Sequence, residues 1–311
     1  MPTTVLLGPQ RRRPTVASVA DLLEISGRLA VVTAGWEERE DQDAELRDHL
    51  GGRTTNLLLY ARSEAVFDAD PELAGAWRGR QERLRELQEL YRGRLAHALA
   101  ATRELIARDD ASKLVEAEGD AAIAAVRELD ERHLVAIAEI HREFDEAMRP
   151  LDRPEIVRHR AELAGVLSRS AALAIAGGHV VVLLNRLRLF GLMELAGDRP
   201  VLAWSAGAMA LAERVVLFHD SPPQGPGDAE VVEVGAAAYP QVLPFPHARR
   251  RLRLDDPARI ALLARRMAPR RCVLLDDGDQ LFWNGSFWSS PEGVRWLEPE
   301  GDVGSGSGSL T

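Results

Sequence analysis

The most informative segment of this chain is Val201-Leu202-Ala203-Trp204-Ser205-Ala206-Gly207-Ala208-Met209-Ala210-Leu211. An apolar run of strand length passes directly into small residues that continue as a helix. A serine at such a junction sits in a tight turn that needs small neighbours. Its hydroxyl lies at a helix N-terminus, where backbone N–H groups can stabilise an oxyanion. The segment fits Gly-x-Ser-x-Gly except that Ala203 replaces the first glycine. The alternative is an alanine-rich helix with Ser205 as its N-cap.

A second segment of the same kind reads Ala174-Ile175-Ala176-Gly177-Gly178-His179, again a strand end followed by a helix. Two glycines at this point allow a backbone N–H group to approach a ligand closely. Taken alone, the segment favours a simple tight turn.

The chain on both sides of residues 72–149 alternates between apolar runs of strand length and segments with helical spacing. The runs are continuous in hydrophobicity, which is typical of parallel strands covered on both faces. We therefore predict an α/β fold with a mostly parallel sheet flanked by helices. The predicted strands are 4–8, 28–35, 54–60, 171–176, 200–204, 231–234 and 272–275, and Asn284-Gly285 predicts the turn of a β-hairpin over 281–288.

Residues 72–149 contain no proline, and their apolar residues recur at steps of three and four. The pattern predicts two antiparallel helices of about 35 residues, each about 50 Å long, with a turn at 108–112. We expect this hairpin, 71–154, to be an insertion that projects from a discontinuous catalytic domain, 1–70 and 155–300. Four apolar residues fall off the stripe of the first helix and predict an interface with a second copy or a protein partner: Trp77, Leu90, Leu99 and Ile106. Packing against the chain's own α/β domain is the alternative.

The charge balance and the cysteine count disfavour several classes of function. The 311 residues include 48 acidic and 39 basic side chains, a net charge of −9, which disfavours binding to nucleic acid or to an anionic membrane. Cys272 is the single cysteine, so no intramolecular disulfide or thiolate metal cluster can form, and we expect it to be buried and inert. No metal-binding or cofactor motif is present. We expect a cytoplasmic protein without cofactor, and a flexible Gly/Ser tail at 301–311.

Together, Gly-Gly-His at 177–179 and Trp-Ser-Ala-Gly-Ala at 204–208 resemble the peptidase E and cyanophycinase family. This family is the serine-nucleophile branch of the class I glutamine amidotransferase-like, or flavodoxin-like, fold. The resemblance covers roughly 1–70 and 155–290. It implies a serine peptidase or amidohydrolase that needs no metal and cleaves a small peptide or amide. The implied residues are Ser205 as nucleophile, His247 as base, Asp277 as the acid with Asp276 behind it, and the N–H groups of Gly178 and Ala206 as oxyanion donors.

The sequence departs from the family at two positions: Ala203 replaces a glycine, and Asp277 is one methylene shorter than the usual glutamate. Near the predicted base, Arg249 and Arg250 could bind a substrate carboxylate of aspartyl type, or they could belong to a solvated basic turn. Trp36 follows the second predicted strand, so it should lie at the sheet edge where ligands bind in open α/β folds. His179 adjoins the predicted oxyanion loop and is expected to shape the pocket.

Three alternatives stay open at this point. His219 competes with His247 as the base. An esterase of the α/β-hydrolase type would use the order Ser, acid, His, with Asp220 or Asp228 ahead of His247. A non-catalytic interaction protein would use the α/β domain as a platform and the hairpin as its binding surface.

Overall fold

The computed structural model describes residues 3–108, 112–218 and 227–310. The strands are β1 (Thr4–Leu7), β2 (Arg28–Val32), β3 (Thr54–Asn56), β4 (Ser170–Ile175), β5 (Val201–Trp204), β6 (Arg214–Leu217), β7 (Glu230–Val234), β8 (Val242–Pro246), β9 (Arg271–Leu275), β10 (Gln280–Trp283), β11 (Trp288–Leu297) and β12 (Val303–Leu310). The helices are α1 (Val16–Leu22), α2 (Ala44–His49), α3 (Leu59–Ala69), α4 (Pro71–Ile106), α5 (Lys113–Met148), α6 (Pro154–Leu167), α7 (Val180–Leu189), α8 (Leu192–Ala196), α9 (Ala206–Leu211), α10 (Ala248–Arg251) and α11 (Pro257–Met267).

The main sheet has the order β3-β2-β4-β5-β1-β10-β11-β9-β8, and β12 pairs with β11. The five strands from β3 to β1 are mutually parallel, and β8 is parallel to β9. Between these two parallel groups, β10 is antiparallel to β1, and β11 is antiparallel to both β10 and β9. Separately, β6 and β7 form an antiparallel pair. This mostly parallel sheet with flanking helices and a long helical hairpin confirms the predicted fold class.

Successive residues of the central strands belong to different apolar clusters, one on each face of the sheet. In β1, Val5 and Leu7 belong to the smaller cluster with Val16 and Val19 of α1, whereas Leu6 belongs to the larger one. Both faces of β1 are therefore covered, which is why three successive residues of the strand, Val5 to Leu7, are apolar.

The helical hairpin lies against the α/β domain and does not project from it. Tyr91 of α4 and Asp130 of α5 meet Arg266 of α11 in a fully buried cluster: the guanidinium makes two bonds to the carboxylate, 2.7 and 2.8 Å, and one to the phenol oxygen, 2.9 Å. Trp77 and Leu99, which we expected at an intermolecular interface, are buried in the same apolar cluster as the sheet. In the described part of the chain, no helix combines the length and the apolar character needed to cross a membrane.

Two predicted segments differ in the structure. The third strand ends at Asn56, whose side-chain amide donates to the Thr33 hydroxyl and the Glu40 carbonyl, and Leu59 begins a helix. Residues 303–310, which we expected in a flexible tail, form β12 instead. A Gly/Ser sequence has little side-chain packing to hold it in a strand. The backbone hydrogen bonds to the ten-residue strand β11 hold it instead.

Candidate active site

Ser205 occupies a strained turn between β5 and α9. Its φ is 51° and its ψ is −121°, a region that residues other than glycine rarely adopt. The backbone N–H of Ser205 donates to the Leu7 carbonyl at 3.3 Å, and its own carbonyl accepts from Met209 at 3.2 Å. The side chain is half-buried. The sequence predicts a tight strand-to-helix turn at Ser205, and the backbone adopts such a turn here.

Two glycines make room for this turn. A Cβ atom on Gly177 would lie 2.9 Å from the Ser205 Cβ and 3.4 Å from the Ala206 nitrogen. A Cβ atom on Gly207 would overlap the carbonyl oxygen of Ile175. The end of β4 can approach the turn at Ser205 this closely only if both positions are glycine. Gly207, the second glycine position of the serine motif, is therefore needed for packing.

The glycine loop also contacts the end of β2. Gly178 has a φ of 123° and is exposed, and a Cβ atom there would collide with the Gly35 carbonyl. The same carbonyl accepts the His179 N–H at 2.7 Å. The ends of β2, β4 and β5 thus meet at one edge, where Gly177 lies against Ser205 and Ala206, and Gly178 lies against Gly35.

The turn between β9 and β10 reaches the same edge through the end of β1. Gly8 donates to the Asp279 carbonyl at 2.9 Å, and a Cβ atom on Gly8 would collide with the Asp276 carbonyl. Leu7, the last residue of β1, accepts from Ser205. The turn between β9 and β10 and the turn at Ser205 therefore bond to two adjacent residues, Gly8 and Leu7.

His247 comes to this turn from β8. Its backbone N–H donates to the Leu275 carbonyl at 3.0 Å, and its φ of 60° and ψ of 33° place it in the left-handed region. In addition, α9 packs against β8, so the helix that begins after Ser205 and the strand that ends before His247 are in contact. Backbone contacts thus lead from Ser205 through β1 and β9 to His247.

The environment of His247 favours a neutral imidazole. Burial lowers the pKa of the half-buried ring, and the nearby charges of Arg251 and Arg250 lower it further. The carboxylates of Asp277 and Asp276 oppose this, with the larger effect from Asp277. A histidine whose pKa lies below its usual 6.5 is unprotonated at neutral pH, as a general base must be.

The aspartates of the turn have different surroundings. Asp276 is engaged: its carboxylate accepts from Arg295 at 2.6 Å and from the Arg249 backbone at 3.1 Å. Asp279 accepts the Asp276 N–H at 2.8 Å, and burial raises its pKa. Asp277 is exposed, and among the described residues its carboxylate makes no hydrogen bond. Within the described chain, the Asp277 carboxylate therefore forms no hydrogen bond to His247, and it acts on that ring only through its charge.

The four predicted substrate-binding side chains differ in how they are held. Arg249 lies 3.7 Å from the Asp276 carboxylate, whereas Arg250 is exposed. His179 caps α7, because its Nδ1 accepts the Val182 N–H at 3.2 Å. Trp36 is half-buried against the smaller apolar cluster. Of the two arginines, Arg250 is the one that forms no ion pair among the described residues.

The other residues considered as catalytic groups lie outside the described part of the chain or are engaged or buried. His219 and Asp220 lie outside the described residues. Asp228 is paired with Arg103 of the hairpin and lies 3.9 Å from Arg259. Cys272 is buried, which raises the pKa of its thiol to about 12, in agreement with its predicted inertness. No group of three or more His, Cys, Asp or Glu side chains in the described ranges is arranged to hold a metal ion.

Sequence reasoning missed two residues that tune this region. Arg251 stacks over the Phe218 ring at 5.9 Å and lowers the pKa of His247, and Arg295 holds Asp276. The position of Arg251 in the basic run after His247 was a usable signal. Arg295 lies 19 residues after its partner on another strand, and no local pattern indicates it.

Comparison with known proteins supports the fold assignment. No protein-family model matches the sequence, and no curated protein is significantly similar to it. A crystal structure of a peptidase from an acI-B1 Actinobacterium aligns over 100% of this chain and 97% of its own, with 13% identity and a TM-score of 0.52. A candidate peptidase E protein from Listeria monocytogenes EGD-e aligns over 49% of this chain and 65% of its own, with 13% identity and a TM-score of 0.29. The chain therefore shares, over its whole length, the α/β fold of a protein solved as a peptidase.

Proposed function

We propose that this chain is a serine peptidase or amidohydrolase that cleaves a small peptide or amide through an acyl-enzyme. The observation that carries the proposal is the conformation of Ser205, a non-glycine residue with a φ of 51° at a strand-to-helix junction. Such strain persists where surrounding structure enforces it, and it is concentrated at functional sites. The peptidase fold of the structural neighbour and the resemblance of residues 177–179 and 204–208 to peptidase E support the same assignment.

In the proposed reaction, the Ser205 oxygen attacks the carbonyl carbon while His247 takes the hydroxyl proton. The N–H groups of Gly178 and Ala206 stabilise the oxyanion. His247 then gives its proton to the leaving amine, and the acyl-enzyme forms. Water, deprotonated by the same ring, hydrolyses the ester and restores the serine. Asp277 fixes the tautomer of His247 and stabilises the imidazolium.

The proposed substrate carries a carboxylate close to the scissile bond. Arg250 is exposed and lies three residues after His247 in the chain. The neighbouring Arg249 is already paired with Asp276. A guanidinium matches a carboxylate in bidentate fashion, so an aspartyl peptide or a similar acidic amide fits best.

A fluorophosphonate probe tests the nucleophile. We expect one covalent adduct on the intact chain, located at residue 205 by peptide mass mapping and absent in Ser205→Ala. Ser168→Ala is the matched control, because Ser168 is an exposed serine in ordinary helical geometry. Labelling that persists in Ser205→Ala, or no labelling of the folded parent, would contradict the proposal.

A further inference from the structure

A large cleft lies between the base of the helical hairpin, α7, α8 and β7, away from the serine elbow. Its volume is about 740 Å³, within the range of small-molecule sites. Arg188 lines it nine residues after His179, which is roughly 13 Å along the helix axis. None of the candidate catalytic residues lines the cleft, which is therefore distinct from the candidate active site. Its walls are mainly apolar, with Trp77, Phe144, Leu184, Leu187, Leu192 and Met193.

Arg80 extends into this cleft without a carboxylate partner. The side chain is 5% exposed, and its guanidinium lies between the rings of Trp77 and Phe144, 3.9 and 4.4 Å from their centroids. Its Nη2 donates to Asn185 at 3.2 Å, while its Nε has no partner among the described residues. Burial and the charge of Arg188 lower the pKa of Arg80 to about 10. A buried cation without a counter-charge is costly unless an anion joins it.

His141 supplies a second unpartnered nitrogen in the same cleft. The ring is buried, its Nε2 lies 2.9 Å from Glu233 and 2.8 Å from Arg188, and its Nδ1 has no partner in the described chain. Nδ1 carries a proton whenever Nε2 accepts from Arg188. Glu233 is already shared by His141 and Arg188, so this carboxylate does not neutralise Arg80.

The other charged groups of the cleft are at its rim. Asp145, Glu146 and Glu194 are exposed, and Arg142 is paired with Glu146 outside the cleft interior. Asp145 attracts Arg80 through space but forms no ion pair with it. The interior thus combines an unpaired guanidinium, an unpartnered imidazole nitrogen and apolar walls.

We propose that the cleft binds a small monocarboxylate with a hydrocarbon or aromatic body. The carboxylate pairs with the Arg80 guanidinium where that side chain lines the cleft beside His141, and the apolar body packs against the leucines and Met193. Arg80 and His141 belong to the hairpin, whereas the apolar residues of α7 and α8 belong to the α/β domain. The ligand would therefore bridge the two parts of the chain.

Isothermal titration calorimetry with octanoate, 4-phenylbutyrate and the neutral 4-phenylbutyramide tests the proposal. We expect at least one carboxylate to bind with a Kd below about 1 mM, and the amide to bind at least about tenfold more weakly. Arg80→Met should weaken carboxylate binding at least about tenfold, while its unliganded melting temperature stays equal or rises, because a buried unpaired charge is removed. Arg132→Met is the matched control and should bind like the parent, because Arg132 is an exposed arginine of α5 that does not line the cleft.

Met193→Trp provides a second variant that fills the cleft and leaves the charges in place. It should abolish binding even if Arg80→Met does not fold. The proposal fails if neither carboxylate binds the parent at about 10 mM, if acid and amide bind equally, or if the Arg80 and Met193 variants keep the parent's Kd.

Discussion

Replacing Ser205 with glycine should give a more stable protein than replacing it with alanine. Both variants lose the hydroxyl, so the comparison isolates the backbone. At a φ of 51° and a ψ of −121°, a residue with a Cβ atom is strained by about 1–3 kcal/mol, and glycine is not. Against this, glycine costs about 0.5–1 kcal/mol more conformational entropy on folding than alanine. The net advantage of Ser205→Gly over Ser205→Ala is therefore up to about 2.5 kcal/mol, with a middle value of about 1 kcal/mol.

Ser168 serves as the reference position. It follows α6 with a φ of −60° and a ψ of −21°, where alanine is unstrained. Its side chain is exposed, and its one side-chain hydrogen bond, to Gly165 at 3.0 Å, is lost in both variants. Here only the entropy difference remains, so Ser168→Gly should be less stable than Ser168→Ala by about 0.5–1 kcal/mol.

Urea unfolding followed by circular dichroism measures both pairs, with stability differences taken from midpoints at equal slope. The sign of the glycine-minus-alanine difference should reverse between the two positions. If glycine is the less stable residue at 205 by the same amount as at 168, the serine turn stores no strain, and the argument for the nucleophile loses its structural basis.

Three further outcomes are expected. Asp277→Asn should keep the fold and lower turnover by about 10⁴-fold in a hydrolysis assay, and an unchanged rate would assign the acid elsewhere. The pKa of His247 is lowered, so kcat/KM should rise with pH through a pKa below 6.5; Arg251→Met removes a lowering charge and should move that limb to higher pH. Asp130→Ala should destabilise the chain by about 3–5 kcal/mol, because Arg266 stays buried without its partner, whereas replacing both by leucine or methionine should cost little, as urea unfolding would show.

The parts of the fold that could be predicted depend on short-range patterns. The helical hairpin was predicted over 72–149 with a turn at 108–112, and the helices span Pro71–Ile106 and Lys113–Met148. Their stripes of apolar residues and the absence of proline are local signals. The contact that holds the hairpin against the domain joins Asp130 to Arg266 across 136 residues, and nothing near either residue indicates it. This is why we expected a projecting hairpin.

The candidate site shows the same division. The strand-to-helix junction at Ser205 could be predicted because small residues and an apolar run adjoin in sequence. The surroundings of the aspartates could not, since Arg295 reaches Asp276 from a different strand. The family resemblance ranked Asp277 ahead of Asp276 as the acid, but the residue types alone do not separate two adjacent aspartates. Only their contacts distinguish an engaged carboxylate from a free one.

The central position of β1 has a consequence for biosynthesis. Thr4 lies beside Val201 on one side and Trp283 on the other, so this strand leaves the ribosome long before either neighbour exists. Until those partners emerge, the nascent chain exposes a mostly apolar segment with two unpaired edges, which is the kind of segment that aggregates or recruits chaperones. Ribosome-bound chains ending before residue 201 should therefore be the most dependent on chaperones, and the serine elbow can form its bond to Leu7 only after β5 has paired with β1.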